Sequence, residues 1–297
     1  MRSLVVLNPV AGNGGGPRAW QRVTPALSAA GIADWECVTS AGIGHARELA
    51  RAAAQAGCER VVAVGGDGTV CEVANGVART QTAVAIVPTG TGNDGSRNLG
   101  IPNEPIAAAR LALTGPIRAI DLGEIETSRG STYFVNVAGF GFDAEVTARV
   151  NALPKRIGGT VPYVVGVLQT LWRFRAPSMR IGLDTRTVER RVFLVAVANC
   201  ATYGGGMRIA PEAVPDDGLF DVCLVGDLSR LAVLRLIPKL YSGGHRSHSA
   251  VELLRCREVH AESTVRVSCQ ADGELVGDLP ASFRIHPGGL RCVTGPP

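Results

Sequence analysis

The chain has 297 residues, room for two domains at roughly 100–200 residues each. Hydrophobic residues make up 46% and charged residues 19%, a globular balance, and a net charge of +4 falls short of the dense basic stripe that nucleic acid requires. No run of about 18 apolar residues is available to cross a bilayer. The opening MRSLVVLNPVAG is too short and too soon polar for a secretory signal, and the eight cysteines form no C-x-x-C pair, which predicts reduced thiols in a cytoplasm.

Short apolar runs alternate with helical stretches over residues 1–120. Ser3–Leu7 reads as a buried strand, and Pro17–Ala30 as a helix ended by Gly31. Trp35–Thr39 is a second strand, His45–Ala56 a helix stopped by Gly57, and Arg60–Val64 a third strand. Val70–Ala78 is a helix, Ala83–Val87 a fourth strand, and Pro105–Leu113 a further helix. This alternation predicts a doubly wound parallel sheet, whose ligands bind at loops leaving the strand ends. From about residue 121 the texture changes. Arg118–Ile125, Thr132–Val137, Met179–Leu183, Val192–Ala198, Leu219–Val225, Val265–Gln270 and Ala281–Ile285 read as strands, with helices near Tyr163–Phe174 and Ser229–Tyr241. That pattern predicts a β-rich, sandwich-like second domain.

Three glycine-rich loops follow three of the predicted strands. They are Asn8-Pro9-Val10-Ala11-Gly12, Gly65-Gly66-Asp67-Gly68-Thr69, and Pro88-Thr89-Gly90-Thr91-Gly92-Asn93-Asp94. Glycines let backbone N–H groups approach phosphate oxygens, and helix starts add partial positive charge. Thr69 and Thr91 supply hydroxyls, and Asp67 and Asp94 are acids suited to magnesium. Lys155 and Lys239 are the only lysines, so no standard phosphate-loop lysine can sit in the first half. Gly90, Gly92 and Gly95 fit G-x-G-x-x-G, but no acid lies about 20 residues on, which argues against a dinucleotide fold.

At GGDGTVCEVANGV (65–77) the chain resembles the diacylglycerol kinase and sphingosine kinase catalytic domain. NPVAG (8–12) and PTGTGND (88–94) are similar to that family's other nucleotide motifs, in the same order. GFGFDAEV (139–146), NCATYGGGMRIAPEAVPDDGLFDV (199–222) and DGE (272–274) resemble blocks of its bacterial members. The resemblance implies a nucleotide domain at 1–120, completed by about 286–297, a lipid-acceptor domain at 121–285, and ATP bound between them. It implies that Asn8, Pro9, Val10, Ala11 and Gly12, then Gly65, Gly66, Asp67, Gly68, Thr69, Val70, Cys71 and Glu72, and finally Thr91, Asn93 and Asp94 line the ATP site, with Thr39 or Ser40 contributing. Cys71 stands where the family commonly has Asn, and Gly95 where it has Phe; the second change bears on acceptor shape.

Phosphoryl transfer needs positioning, charge neutralisation and an acceptor for the hydroxyl proton. The resemblance puts the general base in Asp272-Gly273-Glu274, with Glu274 first and Asp272 as base or metal-network partner. Asp-Gly between two strands is also a hairpin signal, and both readings can hold. Mapped from bacterial relatives, Asp217 with the carbonyls of Val214 and Leu219 binds Mg2+. The helix Ser229–Tyr241 sets Leu231, Leu234, Ile237 and Leu240 against Arg230, Arg235 and Lys239, and Val161–Phe174 carries Tyr163, Leu168, Leu171, Trp172 and Phe174 near Arg173 and Arg175. Each suits either the protein's own core or a membrane interface. The expectation is an ATP- and Mg2+-dependent lipid kinase, cytoplasmic and peripherally bound to the inner membrane face. Diacylglycerol is the first acceptor; phosphatidylglycerol, ceramide and sphingoid bases are the others. A kinase of NAD and a non-catalytic lipid-binding protein are the rivals, no nucleic acid partner is expected, and the oligomeric state stays open, a homodimer included.

Overall fold

The computed structural model describes residues 3–12, 14–152 and 161–296, with backbone alone at 151, 152 and 161–164. Lys155 and the Tyr163 side chain lie outside the described residues. Internal contacts divide the chain into two compact units, Met1–Leu122 with Pro287–Pro297, and Gly123–His286.

The first unit runs β1 (Ser3–Leu7), α1 (Gly15–Ala29), β2 (Trp35–Thr39), α2 (His45–Gln55), β3 (Arg60–Gly65), α3 (Asp67–Val77), β4 (Ala83–Pro88), α4 (Asp94–Asn98) and α5 (Pro105–Thr114). The strands lie parallel in the order β2–β1–β3–β4, and the chain's last strand adds beyond β4, with Cys292 opposite Val84. Every residue of β3 and β4 is buried, as expected where helices cover both faces of a parallel sheet. α1 buries Trp20, Val23 and Leu27 at helical spacing. α2 and α3 pack closely at Gly76, where a Cβ would lie 2.5 Å from the Arg47 carbonyl oxygen. Glu104 starts α5 by accepting the Ile106 and Ala107 N–H groups, just before Pro105.

Two boundaries differ from the sequence reading in ways that concern the site. α3 begins at Asp67 rather than at Val70, so the second glycine loop is also the first turn of a helix. α4, a short helix to which the sequence reading gave no range, opens at Asp94, the last residue of the third loop.

The second unit takes the end of β5 (Ile117–Thr127), then β6 (Gly130–Phe134), β7 (Val137–Gly141), α6 (Phe142–Ala152), α7 (Val161–Arg173), β8 (Ser178–Leu183), β9 (Arg186–Ala198), β10 (Phe220–Gly226), α8 (Arg230–Leu240), β11 (Val251–Cys256), β12 (Glu258–Ser263), β13 (Ser268–Ala271), β14 (Glu274–Asp278) and the start of β15 (Ala281–Val293). Its ladders are antiparallel. β9 joins two sheets: its first half pairs with β8, and its second with β7 and β10. Phe134, Phe140, Phe220 and Phe283 fill the core between them. The predicted strand 132–137 is two strands, broken at Val135 and Asn136. The N–H groups there are taken by the Asp272 carboxylate instead of a neighbouring strand. All eight cysteines are free thiols.

Candidate active site

In the first unit the three glycine loops touch one another. Asn8 Nδ2 donates to Thr69 Oγ1 at 2.8 Å, joining the first loop to the second. Gly12 has φ +57°, and a Cβ there would lie 2.0 Å from the Thr89 carbonyl oxygen, so the first loop rests on the third. A Cβ on Gly90 would lie 2.5 Å from the Gly66 Cα, and one on Gly92 2.8 Å from Asp67 Oδ2, so the second and third loops are in contact as well. Only glycine fits these crossings, because any side chain would meet backbone or the Asp67 carboxylate. The result is a cluster of N–H groups at the starts of α1, α3 and α4, suited to a polyanion.

The side chains sort by what they already hold. Asn93, at φ +52°, builds its own loop: Oδ1 accepts the Gly90 N–H and Nδ2 donates to the Gly90 carbonyl, each at 3.0 Å. Asn8 Oδ1 accepts the Val10 N–H at 3.1 Å. Glu72 reaches away from the loops and accepts the Gly44 and Ala46 N–H groups at 2.9 and 3.1 Å. Its carboxylate thereby anchors the start of α2, ties the turn after Thr39 and Ser40 to α3, and is spent on that task. Ser40 is buried and Thr39 exposed at the end of β2. Cys71 pairs with Asn75 one helical turn on, and Thr69 and Val70 are buried, whereas Thr91 is exposed.

Asp67 and Asp94 are the acids of this cluster. Asp67 Oδ1 accepts the Gly95 N–H at 3.0 Å. Burial raises the Asp67 pKa, opposed by backbone hydrogen bonds and reinforced by the Asp94 charge. Asp94 is buried and pairs with Arg97 at 2.6 Å. An acid whose ionisation is opposed by burial and by a neighbouring carboxylate fits a cation arriving with phosphate. Arg97 was not singled out by sequence; its i+3 spacing from Asp94 was the available signal.

In the second unit, Asp272 and Gly273 form the two-residue turn between β13 and β14, at φ +46° and +85°. Positive φ at both positions makes this a type I′ hairpin, as Asp-Gly predicts. The Asp272 carboxylate accepts three backbone N–H groups: Val135 at 2.7 Å, Asn136 at 2.9 Å and Val137 at 3.1 Å. Glu274, the first residue of β14, is exposed. A chain of bonds supports this turn. The Gly273 N–H donates to Gln270 Oε1 at 2.9 Å, and Gln270 Nε2 donates to Asp143 Oδ2 at 3.1 Å. Burial pushes the Asp143 carboxyl up to about 6. Asp143 also faces an apolar cavity walled by Phe142, Val146, Met207, Val233 and Leu236. His245 lines the same cavity; its Nε2 meets the Ile209 carbonyl oxygen at 3.0 Å, and burial lowers its pKa.

At the expected Mg2+ set, the Asp217 carboxylate is engaged within the protein. Asp217 Oδ1 accepts the Leu219 N–H at 3.1 Å, and Oδ2 pairs with Arg255, whose guanidinium supplies the positive charge. Val214 is 44% exposed. The described residues contain no cluster of three or more His, Cys, Asp or Glu side chains able to hold a metal. Sequence inspection could not see Arg255, which lies 38 residues from Asp217.

A parallel-sheet unit with a three-loop anion cradle, followed by a β-rich unit, is the arrangement of a protein that grips a polyanion at strand-end loops. A model of the diacylglycerol kinase catalytic domain matches residues 2–125, and one of the YegS C-terminal NAD kinase beta sandwich-like domain matches 136–294. A diacylglycerol kinase of Mycobacterium tuberculosis (strain ATCC 25618 / H37Rv) is 34% identical over 290 residues, covering 96% of this chain and 93% of its own. A YegS-like lipid kinase of Chromohalobacter salexigens is 34% identical over 258 residues, 85% of this chain and 81% of its own. A diacylglycerol kinase crystal structure from Bacillus anthracis str. Sterne superposes with a TM-score of 0.77 over 99% of this chain and 97% of that one; at 23% identity it speaks to fold alone. The chain belongs to the diacylglycerol kinase and YegS-like lipid kinase family. It is a kinase, and the family's phosphate donor is ATP. No helix among the described residues is long and apolar enough to cross a membrane.

Proposed function

We propose that the protein transfers the γ-phosphate of ATP to the free hydroxyl of diacylglycerol, giving phosphatidic acid. The observation that carries this reading is the mutual contact of the three glycine loops, which gathers the helix-start N–H groups of the first unit into one anion cradle. The names of the relatives support the acceptor. So does the apolar cavity, whose lining suits a hydrocarbon chain.

The acceptor oxygen attacks the γ-phosphorus, its proton passes to a carboxylate, and ADP leaves with the bridging electrons. Glu274 is the proposed base. Asp272 serves better as the anchor of the turn, because its oxygens already accept three backbone N–H groups. Magnesium accompanying ATP supplies charge neutralisation when bound, and Asp67 with Asp94 would hold it. A diacylglycerol acceptor lies in a bilayer, so contact with the inner face of the membrane is part of this reading.

The test is incubation with γ-labelled ATP, magnesium, a panel of diacylglycerol, phosphatidylglycerol, ceramide and sphingosine, and NAD. The expected result is label in phosphatidic acid. Label in another lipid changes the acceptor; label in NAD, or none in any acceptor, overturns the reading.

A further inference from the structure

Helices α7 and α8 bury one side and leave apolar residues on the other. On α7, Val165, Leu168 and Trp172 recur at helical spacing and are 39%, 47% and 72% exposed. On α8, Leu231 and Leu234 are 56% and 43% exposed. The two stripes meet, since the Arg230 guanidinium stands 4.9 Å over the Trp172 ring and donates to the Trp172 carbonyl at 2.8 Å. Neither helix sequence contains Asp or Glu. The buried side of α8 supplies Val233 and Leu236 to the apolar cavity, so one helix serves both surfaces.

A hollow beside the end of α7 adds charge. Arg149, Arg173, Arg175 and Arg266 line it. Arg266 pairs with Asp278 at 3.0 Å, and the one acid in the lining, Glu145, accepts from Ser268 at 3.2 Å. Among the described residues, no ion pair engages Arg149, Arg173 or Arg175. The Arg149 Nε is buried without a hydrogen-bond partner. Guanidinium groups outside any ion pair offer planar forks of donors that match phosphate oxygens.

We propose that this face seats the protein on an anionic bilayer, with Arg149, Arg173 and Arg175 taking lipid phosphates while Leu168, Trp172 and Leu231 enter the acyl boundary. Exposed aromatic and aliphatic side chains flanked by arginine suit that boundary, where rings lie at headgroup level. Charge complementarity to anionic headgroups, joined to exposed Leu168, Trp172 and Leu231 on helices without an acid, fits the bilayer. The inference rests on the reading of the acceptor as a bilayer lipid.

The test is flotation of the full chain with vesicles of phosphatidylcholine alone and of phosphatidylcholine with phosphatidylglycerol, with inorganic phosphate as competitor. The protein is expected to float with the anionic vesicles, to release as salt rises, and to resist millimolar phosphate. Combined Arg149→Gln, Arg173→Gln and Arg175→Gln exchange should weaken vesicle binding ~100-fold, with Lys at the same three positions retaining most of it. Trp172→Ala with Leu231→Ala should weaken it at all salt concentrations. Equal binding to neutral vesicles, displacement by phosphate, or unchanged binding by the glutamine variant would overturn the proposal. Turnover on short-chain diacylglycerol in detergent separates this inference from the acceptor reading: the variants should match the wild type there, whereas a wild type inert on every lipid contradicts the reading and leaves the vesicle result to judge the surface.

Discussion

At the scale of single residues, the acids of the Asp272-Gly273-Glu274 turn do different work. Asp272 is fixed by three N–H groups, and Glu274 stands exposed beside it. What holds the turn is Gln270, 1% exposed, which links the Gly273 N–H to Asp143. Gln270→Ala should lower kcat roughly tenfold and leave the KM for ATP unchanged, since the first unit is untouched. Gln270→Glu sets a second carboxylate against Asp143, whose own pKa lies at about 6. One of the two acids must then hold a proton, so turnover should recover as pH falls toward 6, a profile the wild type lacks. Sequence named the turn and its two acids, because Asp-Gly between strands is a local signal. It could not rank them, since Val135 lies 137 residues from Asp272 and that bond exists only in the folded chain.

At the scale of elements, the nucleotide half was readable because its signals are local. Buried strands show as continuous apolar runs, and His45–Gln55 shows its alanine stripe. The start of α3 was not readable: glycine discourages helix, and the close loop contacts at Gly66 overrode that propensity. In the second unit β11 and β12 went unseen, since Val251–Cys256 and Glu258–Ser263 mix charged residues with apolar ones that face the core. α6 was missed because Phe142–Ala152 has only a weak apolar stripe. The loop crossings make a direct prediction. Gly12→Ala places a methyl against the Thr89 carbonyl at a positive φ, so it should cost ~3 kcal/mol of stability in thermal or urea unfolding. ATP binding should be lost with it. Alanine at Gly31, also at positive φ but with no atom within 4 Å of the added Cβ, should spare ATP binding.

At the scale of the whole chain, the proposed transfer draws on each unit separately: the first holds an anion cradle, the second an apolar cavity and a turn bearing an exposed carboxylate. The chain leaves the first unit after Leu122 and returns at Pro287. Order and spacing of motifs made the family legible from residues 8–94 and 139–274. The identity of the acceptor stayed illegible, because the cavity walls come from segments as far apart as Phe142 and Val251. In the proposed transfer, phosphate grip and proton acceptance reside on different units. The most direct measurement is ATP affinity by calorimetry alongside kcat for Glu274→Gln. Unchanged ATP affinity with kcat lowered about 100-fold or more is expected. Turnover within a few-fold of wild type, or ATP affinity lost together with turnover, would contradict it.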